Sequence, residues 1–164
     1  MSSGIFLNLG DIKGESTDKN HKGWIELQHV NFSVANNAHI ASSGVRKLNK
    51  GTADFSAIHC TKIMDSSTVK LLSAVSAGDF LKTVKLNICT MFKNELHPYA
   101  ELEMEQCMIS AISEHADKEG GYPQEDFTIV FSKVKWTFTP LDADGIKGSK
   151  VGPEGWDLLQ NSKS

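Results

Sequence analysis

The sequence predicts a mainly β protein, a β-barrel or two packed antiparallel sheets, with one flanking α-helix at about residues 66–78 and a long extended loop at about 36–52. Three observations carry this. Apolar residues recur with a period of two in most runs, which is the signature of half-buried strands. Clusters of Gly, Pro, Asn, Asp and Ser punctuate those runs at strand-like intervals. Helical spacing occurs convincingly once, so helices do not alternate with strands as they do in a parallel α/β sheet.

The first strand is Ile5-Phe6-Leu7-Asn8-Leu9, with Ile5, Leu7 and Leu9 on one face. A compact polar loop at 10–23 follows, flanked by glycines and rich in residues that bond to nearby backbone. In the run 24–35, Ile25 and Leu27 set one parity, and Val30, Phe32 and Val34 take the other. Such a switch predicts a bulge near His29 or a strand that passes from one sheet to another.

Residues 36–52 lose all periodicity and hold few large apolar side chains. A loop this long inside a compact domain is functional, disordered, or ordered by something outside the subunit. It is read as an assembly surface, with Asn37, His39, Ser43, Arg46, Lys47 and Asn49 as candidate ring-stacking residues.

The next strand, 53–64, turns Phe55 and Ala57 to one side and Ile58, Cys60 and Met64 to the other. It ends at Asp65-Ser66-Ser67, a helix-initiating cluster. Val69, Leu72, Ala74 and Val75 then recur at helical spacing up to Gly78, the expected stop. Strand 81–92 alternates again, with Val84, Leu86 and Ile88 inward, and Pro98 is expected to close a turn. In 99–115, Leu102 and Met104 oppose Glu101, Glu103 and Glu105, a carboxylate row that faces water unless cations lie opposite. Residues 117–123 form a turn by composition. A central strand is expected over 125–140, and the chain ends in a segment anchored by Trp156, Leu158 and Leu159.

Composition narrows function. The 164 residues fit one domain, 1–164, and 40% apolar with 23% charged residues is ordinary for a globular chain. A net charge of -3 argues against nucleic acid as partner. The opening residues show no basic region followed by an apolar stretch, and no run is apolar enough to span a membrane. Cys60, Cys89 and Cys107 sit in apolar runs and read as free thiols of a chain that folds in a reducing compartment.

The six histidines show no metal-ligand spacing, and no metal or cofactor is expected. Asp11, Ser16 and His21 are the residue types of a hydrolase triad, but they share one loop and lack a nucleophile elbow. Asp142-Ala143-Asp144-Gly145 begins like a calcium loop and then fails, with Lys147 where Gly is needed and Pro153 where Glu is needed.

Longer signatures carry a family resemblance. The run Gly-Asp-Ile-Lys-Gly-Glu-Ser at 10–16, Asp18 and His21, the opening Ile25-Glu26-Leu27, the run Thr-Lys-Ile-Met-Asp-Ser-Ser-Thr at 61–68, the strand from Phe127 to Pro140, and Gly152-Pro153-Glu154-Gly155-Trp156-Asp157-Leu158 together resemble the haemolysin-coregulated protein family, Hcp. The resemblance implies a non-enzymatic tube subunit of the type VI secretion system. Its copies would form homohexameric rings that stack into a tube inside a sheath, behind a spike, with small effector proteins in the lumen. It also implies assembly in the cytoplasm and export without a classical signal peptide, in the service of effector delivery and virulence. The loop 41–50 departs from the glycine-rich run of some members. A second reading, from the exposed-aromatic candidates Trp24, Tyr122 and Trp156, is a monomeric or dimeric β-sandwich module binding carbohydrate or another ligand.

Overall fold

The structure, a computed structural model, describes residues 3–41, 44, 47–145 and 147–164. Its strands are β1 (Ser3–Asn8), β2 (Ile25–Leu27), β3 (His29–Asn31), β4 (Val34–Asn36), β5 (His39–Ile40), β6 (Leu48–Asn49), β7 (Ala53–Phe55), β8 (Ile58–Ile63), β9 (Phe80–Phe92), β10 (Glu95–His115), β11 (Gln124–Val130), β12 (Lys133–Phe138), β13 (Val151–Asp157) and β14 (Ser162–Lys163). One helix, α1 (Thr68–Ala77), lies between β8 and β9.

The spine is β10, because both of its edges are used. One edge pairs antiparallel with β9 from Glu95 to Met108, while the other takes β12 at Ala100–Glu105 and β11 at Met108–His115. From β9 the ladder continues through β1 to β2; from β11 it continues through β8 to β3; and β13 and β14 extend it beyond β12. The parity switch in the second run is thereby explained. β2 pairs with β1 and β3 pairs with β8, so the chain changes partners across Gln28, whose N–H donates to the Thr61 carbonyl at 2.8 Å. The wall curls around its core, yet among the described residues the ladder is not a closed barrel.

Inside it lie Leu7, Ile25, Ile58, Leu86, Met104, Phe127 and Ile129, each fully buried. Burial at this scale stabilises by roughly 1.5–3 kcal/mol per large aliphatic or aromatic side chain.

Several elements differ from expectation for identifiable reasons. The chain turns at Lys93 and Asn94, both with positive φ, and Pro98 lies within β10 beside an irregularity between Pro98 and Ala100. Proline is tolerated where the ladder does not need its missing N–H. The stretch 125–140 is two strands, β11 and β12, separated at Phe131-Ser132. Both lie on the same edge of β10, and the Ser132 N–H donates to the Glu105 carbonyl at 3.1 Å. That break lets Phe127, Ile129 and Val134 all face the core despite their change of parity.

The helix presents Thr68, Leu71 and Ala74 inward, whereas Val69 is 73% exposed and Leu72 is also exposed. The two stripes are one residue apart, and only Thr68 supplies the hydroxyl used by the buried charges beneath it. Gly78 ends α1 in the left-handed conformation, with its N–H on the Val75 carbonyl. Ser67 makes no side-chain cap, and Asp65 Oδ1 instead accepts the Ser67 N–H at 2.8 Å. Met64 is exposed, and Lys62 occupies the core position after Ile58 and Cys60. Leu159 is exposed as well, leaving Trp156 and Leu158 to anchor the C-terminal segment. The carboxylate row meets cations of its own chain. Glu103 stands between Lys85 and Lys135 in register, Glu105 opposite Lys133, and Glu101 3.7 Å from Lys150.

Candidate assembly surface and the charges that brace it

The described residues of 36–52 form most of a ribbon that leaves the wall after β3 and returns at β8. β4 pairs with β7, and β5 pairs with β6, matching Ile40 to Leu48 and His39 to Asn49. Strands of two and three residues are too short for alternation to register in a sequence, so the pattern looked aperiodic. Asn36 fastens the ribbon midway: its Nδ2 donates to the Gly51 carbonyl at 3.1 Å, and its Oδ1 accepts the Gly51 N–H at 2.8 Å. A Cβ at Gly51 would lie 2.5 Å from the Asn37 carbonyl oxygen, which reserves the position for glycine.

Of the candidate stacking residues, Asn37 lies between β4 and β5. His39 and Asn49 face each other across the ribbon, and Lys47 accepts the Ala41 N–H on its carbonyl at 3.0 Å. Ser43 and Arg46 lie outside the described residues. The paired aliphatics Ile40 and Leu48 are 66% and 71% exposed. The ribbon thus carries an uncovered apolar pair opposite one another in register.

At the end of β8 away from the ribbon lies a buried ionic cluster. Lys62 and Glu125, register neighbours on β8 and β11, are both fully buried and joined as an ion pair. Lys62 Nζ also donates to Asp65 Oδ1 at 2.7 Å and to the Ile63 carbonyl at 3.2 Å, and the Thr68 hydroxyl donates to Glu125 Oε1 at 3.0 Å. One ammonium thus ties α1 and the turn before it to the wall. Sequence reasoning missed this cluster, although Lys62 and Glu125 both hold core parity in otherwise apolar strands.

Glu125 Oε2 is buried and lacks a well-formed hydrogen bond. Glu114 stands opposite Glu125 in register. Burial first, then the facing Glu125 carboxylate, push the Glu114 carboxyl up to about 7, with Lys62 pulling the other way. The folded chain therefore holds a proton that the unfolded chain releases near its ordinary value of 4.5. This contribution to stability is fully present below that value and is lost as pH rises through about 7. Denaturation midpoints measured at about pH 5 and about pH 8 should drop across this window in the native chain and stay flatter in Glu114→Gln; an identical drop in both would contradict the assignment.

The loop 10–23, which holds Asp11, Ser16 and His21, is closed by its own hydrogen bonds and packed through His21. Its backbone closes through Gly14 N–H to the Gly23 carbonyl at 2.9 Å and Ser16 N–H to the Trp24 carbonyl at 3.1 Å. His21 is buried over the outer face of β1 and β9. It stacks on Phe6 with ring centroids 4.3 Å apart and meets the Trp24 edge at 4.9 Å. Its Nδ1 is 2.7 Å from Asp18 Oδ2 and its Nε2 is 3.0 Å from Asn87 Nδ2, so Nδ1–H donates to Asp18 and Nε2 accepts from the Asn87 amide. Asp11 is exposed and no hydrolase triad is assembled. Burial works to raise Asp18, but the hydrogen bonds it accepts from His21 and the Asn20 N–H outweigh it and hold the carboxyl below its ordinary value. Burial pushes the Cys60, Cys89 and Cys107 thiols up to about 12, which makes them inert packing groups.

Among the described residues no group of three or more His, Cys, Asp or Glu could hold a metal. No helix among them is long and apolar enough to cross a membrane. The aromatics Trp24 and Trp156 are half-buried, while Tyr122 is exposed on a turn, so the three do not form one binding platform.

Comparison with known proteins places this architecture. The chain is 26% identical to Protein hcp1 of Pseudomonas aeruginosa over 161 residues, covering 98% of each chain. A solved structure described as a type six secretion system protein matches with TM-score 0.92 and 33% identity, covering 99% of this chain and 100% of that one. Hcp1 from Salmonella typhimurium shares the fold with TM-score 0.78 at 19% identity, covering 100% of both chains. The family model for the type VI secretion system effector Hcp matches residues 6–138, and the chain belongs to that family.

Proposed function

We propose that the chain, acting as one structural unit over 1–164, is a tube subunit of the type VI secretion system. Its copies form homohexameric rings that stack into the inner tube, within a sheath and behind a spike, and it is exported with small effector proteins in the lumen. The subunit assembles in the cytoplasm and leaves without a classical signal peptide, inserting in no membrane and binding no nucleic acid. It performs no catalysis.

The observation that carries this reading is the ribbon from β4 to β7, on which the register pair Ile40 and Leu48 is uncovered among the described residues. A stiff wall bearing such a projection suits head-to-tail association, which closes into a ring or runs on as a filament according to its rotation. Asn37, His39, Ser43, Arg46, Lys47 and Asn49 are the residues assigned to ring stacking.

Deletion of residues 40–50 should leave a folded subunit, because none of the described residues in that span belongs to the buried core, whereas Phe55 of β7, which packs on it, is kept. The same deletion should weaken stacking, read by sedimentation and negative-stain imaging. Tubes that form unchanged would remove the ribbon from this role.

A further inference from the structure

The ribbon is strongly one-signed. Residues 34–53 hold Arg46, Lys47 and Lys50 and no Asp or Glu, in a chain whose net charge is -3. In the described part, Lys47 and Lys50 bracket β6, next to the exposed Ile40 and Leu48 pair. A partner surface should therefore be acidic at its rim and apolar at its floor.

The protein carries one such surface on itself. A cleft of about 350 Å³ lies between the loop 10–23, β2 and the end of β8. Its rim holds Glu15, Glu26 and Asp65, and Ile63 and Met64 are exposed along it. Asp65 is committed to Lys62, but Glu15 and Glu26 make no ion pair among the described residues. Position matters as much as charge. The ribbon joins the wall where Asn31 and His59 pair, at the start of β8, whereas the cleft adjoins Ile63 at its other end. The two are separated by the length of that strand, roughly 17 Å at the usual rise per residue.

We propose that the ribbon of one copy docks in the Glu15–Glu26–Asp65 cleft of a second copy, Ile40 and Leu48 against Ile63 and Met64, with Lys47 and Lys50 facing Glu15 and Glu26. Because donor and acceptor are different surfaces at opposite ends of β8, the contact can repeat head to tail without closing on itself after two copies. The assignment rests on the reading of the ribbon as a copy-to-copy contact and adds its acceptor.

The test is disulfide trapping in the full-length chain carrying Ile40→Cys and Met64→Cys together. The native thiols Cys60, Cys89 and Cys107 are buried and stay silent. Mild oxidation should give a ladder of species beyond the dimer on a non-reducing gel, since each copy offers both partners, while either single variant stops at the dimer. Adding Glu15→Lys and Glu26→Lys should cut the ladder about tenfold, in keeping with two attractions turned to repulsions; adding Lys47→Glu and Lys50→Glu to that background should restore it.

Absence of the ladder, closure within one chain, or a ladder indifferent to the charge changes would overturn the proposal. So would weakened assembly in Glu15→Lys/Glu26→Lys without a ladder, since the cleft would then serve another segment of the neighbouring copy. If deletion of 40–50 abolishes assemblies while the ladder is missing, the cleft falls and the stacking ribbon stands. If that deletion changes nothing, the ribbon reading itself falls.

Discussion

Lys62→Ala is expected to lower the unfolding free energy by about 3–5 kcal/mol, the cost of removing one partner from a buried ion pair. The substitution leaves Glu125 fully buried with no cation and strips Asp65 of its ammonium, so two carboxylates lose compensation at once. It also releases the tie between α1 and the wall, because Lys62 and Thr68 both converge on Glu125. The double variant Lys62→Met/Glu125→Leu separates charge from packing. Replacing both ions with apolar groups of similar volume removes the stranded charge, and stability should return to within about 1–2 kcal/mol of the native chain. Chemical denaturation of the three proteins decides it. A loss below about 1 kcal/mol in Lys62→Ala would mean that the cluster contributes little.

The second large effect is expected at His21. His21→Ala removes the ring stacked on Phe6 and the edge contact with Trp24, and it leaves Asp18 and Asn87 without their shared partner. The cavity and the lost hydrogen bonds together should cost about 2–4 kcal/mol. Trp24 fluorescence should shift towards the solvent-exposed value in the folded variant, since the loop 10–23 is held on β1 and β9 through this ring. An unchanged spectrum with a loss under about 1 kcal/mol would show that the backbone hydrogen bonds of the loop suffice without it.

Both effects involve groups that are local in space and distant in the chain, which bears on what could be read from the sequence. The switch of parity near His29 was legible because it occurs within one run, and it marks the change of partner between β2 and β3. Gly78 was legible because a helix stop is a single-residue signal. Lys62 and Glu125 were not, since each is an isolated charge in an apolar strand until the register of β8 and β11 brings them together. The helix face was misjudged for a related reason: Val69 and Leu72 outrank Thr68 in hydrophobicity, but only Thr68 can satisfy Glu125. Pro98 and the break at Phe131-Ser132 depend on how β10 bends, a property of the assembled sheet that no short window contains. The ribbon's length and composition marked it as unusual, while its pairing was hidden by strands of two and three residues.

Completion of the subunit's surface by other copies of itself is the central prediction. Sedimentation velocity of the purified full-length chain over a wide range of concentration and salt tests that claim most directly. A stable species about sixfold the 18.0 kDa chain mass, growing into longer assemblies at high concentration, is the predicted result. A single species at 18.0 kDa throughout would contradict it.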